Sequence, residues 1–161
     1  MDRIARLVAA GLLLSSPAVA QTLQAPTQFY NEGDLKLESE SAIKDFSIAY
    51  VTFGAPNAKK SNAILMVTAL GGNHHWLDFM IGPGKALDPE KYFIICTDAI
   101  GNGLTTSPSN SKLQPRMQFP NFVIRDMIES QYRLLKENFG IDHLVAVIGP
   151  SMGACKPCSG A

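Results

Sequence analysis

Neither sign of charge dominates this 161-residue chain. Lysine plus arginine and aspartate plus glutamate balance at 14 each, so no nucleic-acid partner held by bulk charge is expected. Cysteine is scarce: Cys96, Cys155 and Cys158 make no disulfide framework. Cys96 sits in an apolar run and reads as a buried thiol. Cys155-Lys156-Pro157-Cys158 has redox spacing, but a redox pair should open a helix near the start of a βαβ domain, and this one lies in the last residues. No H-E-x-x-H or other metal-ligand spacing occurs, and no Walker pattern cradles phosphate. Gly101-Asn102-Gly103 lacks the strand-to-helix setting of a dinucleotide fingerprint. No metal and no cofactor is expected.

Long hydrophobic runs are missing beyond the start of the chain. Residues 1–20 have the layout of a secretory signal: Arg3 and Arg6, then the apolar Leu7 to Leu14, then Ala18-Val19-Ala20 as an A-x-A site. That apolar core is short for a bilayer. The expectation is cleavage after Ala20, export to the periplasm or beyond, and no stable membrane insertion afterwards. Residues 21–31, polar and broken by proline, read as an N-terminal arm.

With 46% apolar residues the rest is ordinary for a chain that buries a core. Strands are predicted around Leu35–Leu37 and Phe46–Phe53, the second alternating as Phe46-x-Ile48-x-Tyr50-x-Thr52, which implies one buried face and an antiparallel edge hairpin. Ala63–Val67, Tyr92–Cys96 and Leu144–Ile148 are continuous apolar runs, as in strands covered on both faces. A less regular helix is predicted near His75–Met80. A second, amphipathic helix is predicted over Asn121–Leu135, with Ile124, Met127, Ile128, Leu134 and Leu135 near 3.6-residue spacing and Gly140 closing it. Asp98 to Met117, polar and rich in Gly, Ser and Pro, reads as a loop over the catalytic face. The order β-β-β-α-β-α-β describes the first half of a doubly wound α/β sheet, its last three strands parallel.

The chemistry concentrates where the last strand meets Gly149-Pro150-Ser151-Met152-Gly153. A strand running into G-x-S-x-G is the nucleophile-elbow pattern of α/β-hydrolases. The turn is so sharp that side chains at the glycines would clash, and the strained backbone lifts the serine hydroxyl clear of the sheet. Ser151 is therefore the candidate nucleophile.

Ile48-Ala49-Tyr50-Val51-Thr52-Phe53-Gly54, Ala69-Leu70-Gly71-Gly72, Phe119-Pro120 with Ile124-Arg125-Asp126, and Ile141-Asp142-His143-Leu144 leading into the elbow together resemble the homoserine O-acetyltransferase branch of the α/β-hydrolases. The resemblance runs from about Tyr30 to Gly153. It implies the N-terminal half of an α/β-hydrolase sheet over residues 32–153. It also implies a small acyl ester or thioester substrate, an acyl-enzyme on Ser151, and an oxyanion held by the backbone N–H groups of Leu70 and Met152. His74 and His75, after the oxyanion loop, are weak candidates for substrate contact, with loop packing favoured. His143 should lie at the far end of its strand from Ser151. Asp98 is a better-placed acid than Asp126, whose expected role, with Arg125, is to cap or pair at the helix start; capping of the following loop is Asp98's alternative.

The family continues past the elbow as Met-Gly-Gly-Met-Gln-Ala-Leu-Gln-Trp, whereas residues 154–161 read Ala-Cys-Lys-Pro-Cys-Ser-Gly-Ala. Back-translated one base out of frame, the tail accommodates Gly-Met-Gln-Ala-Leu-Gln-Trp. A frameshift just after Met152 is the hypothesis, and sequencing the locus tests it: an alternative frame without the family helix would sink it. In this fold the acid and histidine follow the serine in chain order, so a catalytically incomplete chain is expected. The function expected by family is an exported serine acyl hydrolase or acyltransferase. A biosynthetic homoserine O-acetyltransferase is the alternative, weakened by export because acetyl-CoA is a cytoplasmic donor. A non-catalytic half-domain that binds a partner is the alternative of another class. The oligomeric state is left open.

Overall fold

A computed structural model describes residues 25–155, apart from the side chain of Cys155; the segment read as a signal and the Cys158 end of the tail lie outside the described residues. Five strands form one sheet: β1 (Gln28–Lys36), β2 (Ala42–Phe53), β3 (Ala63–Val67), β4 (Phe93–Thr97) and β5 (Ala146–Ile148). Their order across it is β1-β2-β4-β3-β5. β1 with β2 and β2 with β4 pair antiparallel, while β4 with β3 and β3 with β5 pair parallel. The chain thus enters through a hairpin and then winds in parallel, as the pattern predicts. β1 begins at Gln28, so the last residues of the expected arm are already paired in the sheet.

Alternation along the strands splits the core into two layers. On one face Phe46, Ile48, Tyr50, Leu65, Val67, Phe93 and Ile95 pack with Met127, Leu134 and Leu135. On the other, Val51, Phe53, Ile64, Met66, Ile94 and Cys96 pack with Ile81 and Leu87. The half-buried β2 expected from its alternation is therefore corrected: its C-terminal half is covered on both faces, Ile48 and Tyr50 packing in the first layer and Val51 and Phe53 in the second.

Helix α1 (Ile124–Arg133) is shorter than predicted and continues as a π-helical turn, Leu134–Phe139. Gly140 ends it at φ +61°, its N–H donating to Lys136 O at 3.1 Å, while Ile141 N–H reaches Leu135 O at 2.9 Å. This left-handed terminus is the one that glycine adopts without a Cβ penalty. At the other end Asp126 is the cap. Its Oδ2 accepts from Val123 N–H and its Oδ1 from Glu38 N–H, both at 2.8 Å, tying the helix start to the β1–β2 turn. Arg125 reaches Glu38 at 3.4 Å on the surface.

Two expectations are corrected between β3 and β5. The helix predicted near His75–Met80 is a chain of tight turns with one 3₁₀ turn, Asp78–Met80. Its backbone bonds span three residues, from Trp76, Asp78, Met80 and Ile81 back to Asn73, His75, Leu77 and Asp78. Gly72 before it and Gly82-Pro83-Gly84 after it leave too few residues for a stable α-helix. The segment Asp98 to Met117 lies only partly at the catalytic end. Thr105 and Thr106 return to β2, their hydroxyls accepting from Ala49 and Ser47 N–H at 3.0 and 2.9 Å. They satisfy the β2 edge that β4, ending at Thr97, leaves open.

Candidate active site

The three parallel strands deliver their carboxyl ends to one rim of the sheet, and the loops that follow them meet there. β5 runs into Gly149-Pro150-Ser151, and Ser151 adopts φ +51°. A non-glycine residue in the left-handed region carries strain, which persists only where surroundings enforce it. The surroundings here are tight. A Cβ on Gly149 would stand 2.5 Å from Val67 Cγ2 and 2.9 Å from the Gly153 carbonyl carbon; one on Gly153 would stand 2.8 Å from Val67 O. The two glycines of the motif therefore pack on each other and on the end of β3, and Ser151 projects at the surface. Because the obstacle to Gly153→Ala is backbone, which cannot swing aside, that substitution is expected to lower stability by about 1–3 kcal/mol. The denaturation midpoint checks this; an unchanged midpoint would mean that the elbow relaxes freely.

Leu70 and Met152, the sequence-derived oxyanion pair, are brought together. Both line one cavity of about 420 Å³, with Ile100, Phe122 and Met127. The loop holding Leu70 turns at Gly71, φ +76°, closed by Gly72 N–H to Ala69 O at 3.1 Å. Leu70 is 82% exposed, so it is not part of the packed core. Met152 lies in the first turn of a short 3₁₀ helix, Ser151–Cys155, where leading N–H groups lack acceptors within the helix.

The loop after β3 is fixed by a pair that sequence reading left open. Asp98 is buried at the end of β4; its Oδ1 accepts from His74 N–H at 2.9 Å and its Oδ2 from His74 Nδ1. His74 Nε2 lies 3.0 Å from Thr27 Oγ1. Asp98 thus holds the loop before it in sequence rather than the one after it, and His74 is a buried loop anchor. His75 pairs with Asp78 at 2.7 Å and is half-exposed. His143 is exposed in the segment leading into β5, the opposite end from Ser151. The Asp98–His74 pairing could have been suspected from two features, an acid ending a buried strand and a histidine two residues after a Gly-Gly turn.

Cys96 lies on β4 beneath this rim, its Sγ 3.6 Å from Met66 Sδ. Burial, with the Asp78 and Asp98 carboxylates nearby, pushes its thiol up to about 12, so it stays protonated and unreactive at neutral pH. Among the described residues no cluster of three or more His, Cys, Asp or Glu is placed to hold a metal.

A mixed sheet whose parallel strands end at one rim, the last of them running into a strained serine turn between two glycines, has the architecture of an α/β-hydrolase. The family model for the alpha/beta hydrolase fold matches residues 62–155, and the chain belongs to that family. It is 43% identical over 145 residues to a probable esterase of Corynebacterium glutamicum, covering 88% of this chain and 42% of that one. It is 41% identical to a homoserine O-acetyltransferase of Methanosalsum zhilinae, covering 79% and 29%. Among solved structures it superimposes on an acetylester hydrolase from Corynebacterium glutamicum with a TM-score of 0.78 and 46% identity, covering 81% of this chain and 38% of that one. The resemblance to the homoserine O-acetyltransferase branch is thus matched in relatives that also include esterases. The chain spans less than half the length of these relatives.

Proposed function

We propose that this chain carries the nucleophile and the oxyanion donors of an exported serine acyl hydrolase or acyltransferase. The observation that carries the reading is Ser151 at φ +51° on a turn closed by Gly149 and Gly153. In the proposed reaction Ser151 Oγ attacks the carbonyl carbon of a small ester or thioester. The N–H groups of Leu70 and Met152 stabilise the oxyanion, the alcohol or thiol leaves, and water or an acceptor alcohol resolves the acyl-enzyme. Hydrolysis is favoured by the esterase relatives, and export by the composition of residues 1–20. Transfer to homoserine is the second reading, favoured by the relative of that name; acetylated homoserine formed from a thioester donor, in place of free acetate, would select it.

The described histidines do not serve as the base. His74 is held at both ring nitrogens by Asp98 and Thr27, His75 is turned to Asp78, and His143 precedes β5. The base is therefore assigned to none of these three histidines, and Ser151 without an imidazole base should be a slow nucleophile. A fluorophosphonate probe tests this on the purified chain. Slow labelling lost in Ser151→Ala is expected. Labelling that survives in Ser151→Ala would put the reactive group elsewhere, and labelling as fast as in a complete serine hydrolase would overturn the incompleteness.

A further inference from the structure

The relatives leave the acyl group undecided, since they include a probable esterase, homoserine O-acetyltransferases and a serine O-succinyltransferase. The cavity of about 420 Å³ beside the elbow bears on that choice. We infer that it is an acyl pocket for an uncharged apolar chain of several methylenes and that it rejects a carboxylate-bearing acyl group; this rests on the acyl-enzyme reading of Ser151.

Placement comes first. Leu70 and Met152, the residues whose N–H groups would hold the substrate carbonyl oxygen, both form its wall. A carbonyl held there has its substituents within reach of the cavity. Chemistry comes next. Ile100, Phe122, Met127 and Met152 make the lining apolar, and among the described residues that line it none carries a titratable side chain. Among the described lining residues Asn102 has the one polar side chain, and it is uncharged. Its Oδ1 is spent on the N–H groups of Leu104 and Thr105, at 3.0 and 3.2 Å, and its Nδ2 is a buried donor with no acceptor.

The volume falls in the range of ordinary ligand pockets, about 300–1,000 Å³, far more than a two-carbon acetyl group fills. Each methylene moved from water into such a lining strengthens binding about fourfold. A carboxylate entering it would give up its hydration and find no cation among the described lining residues, a loss of about 100-fold or more.

The test separates binding from chemistry. In a Ser151→Ala chain labelled with ¹³C-methyl methionine, the Met127 and Met152 methyl signals are followed during titration with hexanamide, propionamide and succinamate. Hexanamide should shift both saturably and bind about 50-fold more tightly than propionamide. Succinamate should leave them in place at the same concentrations. Leu70→Lys, at an exposed side chain, keeps the backbone donor and brings an ammonium to the wall; it should gain succinamate binding. Equal response to hexanamide and succinamate, or none to hexanamide, would overturn the pocket. A parallel mass measurement follows phosphonate adducts of the unsubstituted chain. Methyl shifts without any Ser151 adduct would keep the pocket and remove the acyl-enzyme reading. Adducts formed equally fast with short, long and carboxylated phosphonates would keep the nucleophile and remove the pocket.

Discussion

Asp98→Ala is expected to lower the unfolding free energy by about 3–5 kcal/mol, and Asp98→Asn by only about 1–2 kcal/mol. The difference follows from what faces the carboxylate. Oδ1 accepts from the His74 backbone and Oδ2 from its ring, with both residues buried. Alanine leaves two buried donors without acceptors and opens a cavity as well. Asparagine retains a carbonyl oxygen for the His74 backbone. Its amide can then donate to Nδ1 if the imidazole takes the other tautomer, with Nε2–H turned to the Thr27 hydroxyl. Urea denaturation followed by circular dichroism gives both numbers. An alanine variant as stable as the parent would mean that the pair does not hold the loop. A loss in asparagine equal to that in alanine would mean that charge, and not hydrogen-bond geometry, does the holding. The same pair spans the end of β4 and the loop bearing Leu70. Loosening it is therefore expected to displace a candidate oxyanion donor without touching Ser151.

The sheet was legible because its strands are. Ala63–Val67 and Tyr92–Cys96 are short unbroken apolar runs bounded by turn residues, the pattern of a strand packed on both faces. The elbow was legible because its glycines answer to sterics alone, and a Cβ at either meets β3. Gly140 marked the end of the helical segment for the same kind of reason. What stayed hidden depends on partners far apart in sequence. Asp98 and His74 are 24 residues apart, and Thr27 and His74 are 47 apart; periodicity carries no trace of such pairings. The Thr105 and Thr106 return to β2 is hidden likewise, because which edge a loop repairs depends on where β4 stops. The turns after His75 failed as a helix because apolar spacing is a weak guide when two Gly-rich turns leave so little chain between them.

Glu32 is expected to make the fold less stable as pH rises from about 5 to 8, and Glu32→Gln to remove that slope. Glu32 sits at the irregularity in β1 between Asn31 and Gly33, with its side chain buried and neither carboxylate oxygen hydrogen-bonded. Arg133 is the nearest cation, 3.8 Å away, but its other contacts run to the Glu32 and Asp34 carbonyls and to Glu137. Burial outweighs that attraction, and the nearby Glu137 and Glu129 carboxylates add to it, so the acid is pushed up to about 8. Below its unfolded value of 4.5 both states hold the proton and Glu32 makes no pH-dependent contribution. Between 4.5 and 8 the unfolded chain releases its proton while the folded chain keeps it. Stability then falls with pH, by at most about 1.4 kcal/mol per unit. Above 8 both states are ionised and the loss levels off. Glutamine is neutral throughout, and its own buried amide shifts stability equally at every pH. The informative quantity is therefore the change in the difference between the two chains: from pH 6 to pH 8 it should move by about 2 kcal/mol in favour of the glutamine chain. A difference that stays flat across that interval would show that Glu32 ionises in the folded state as readily as in water, with Arg133 repaying the whole cost of burial.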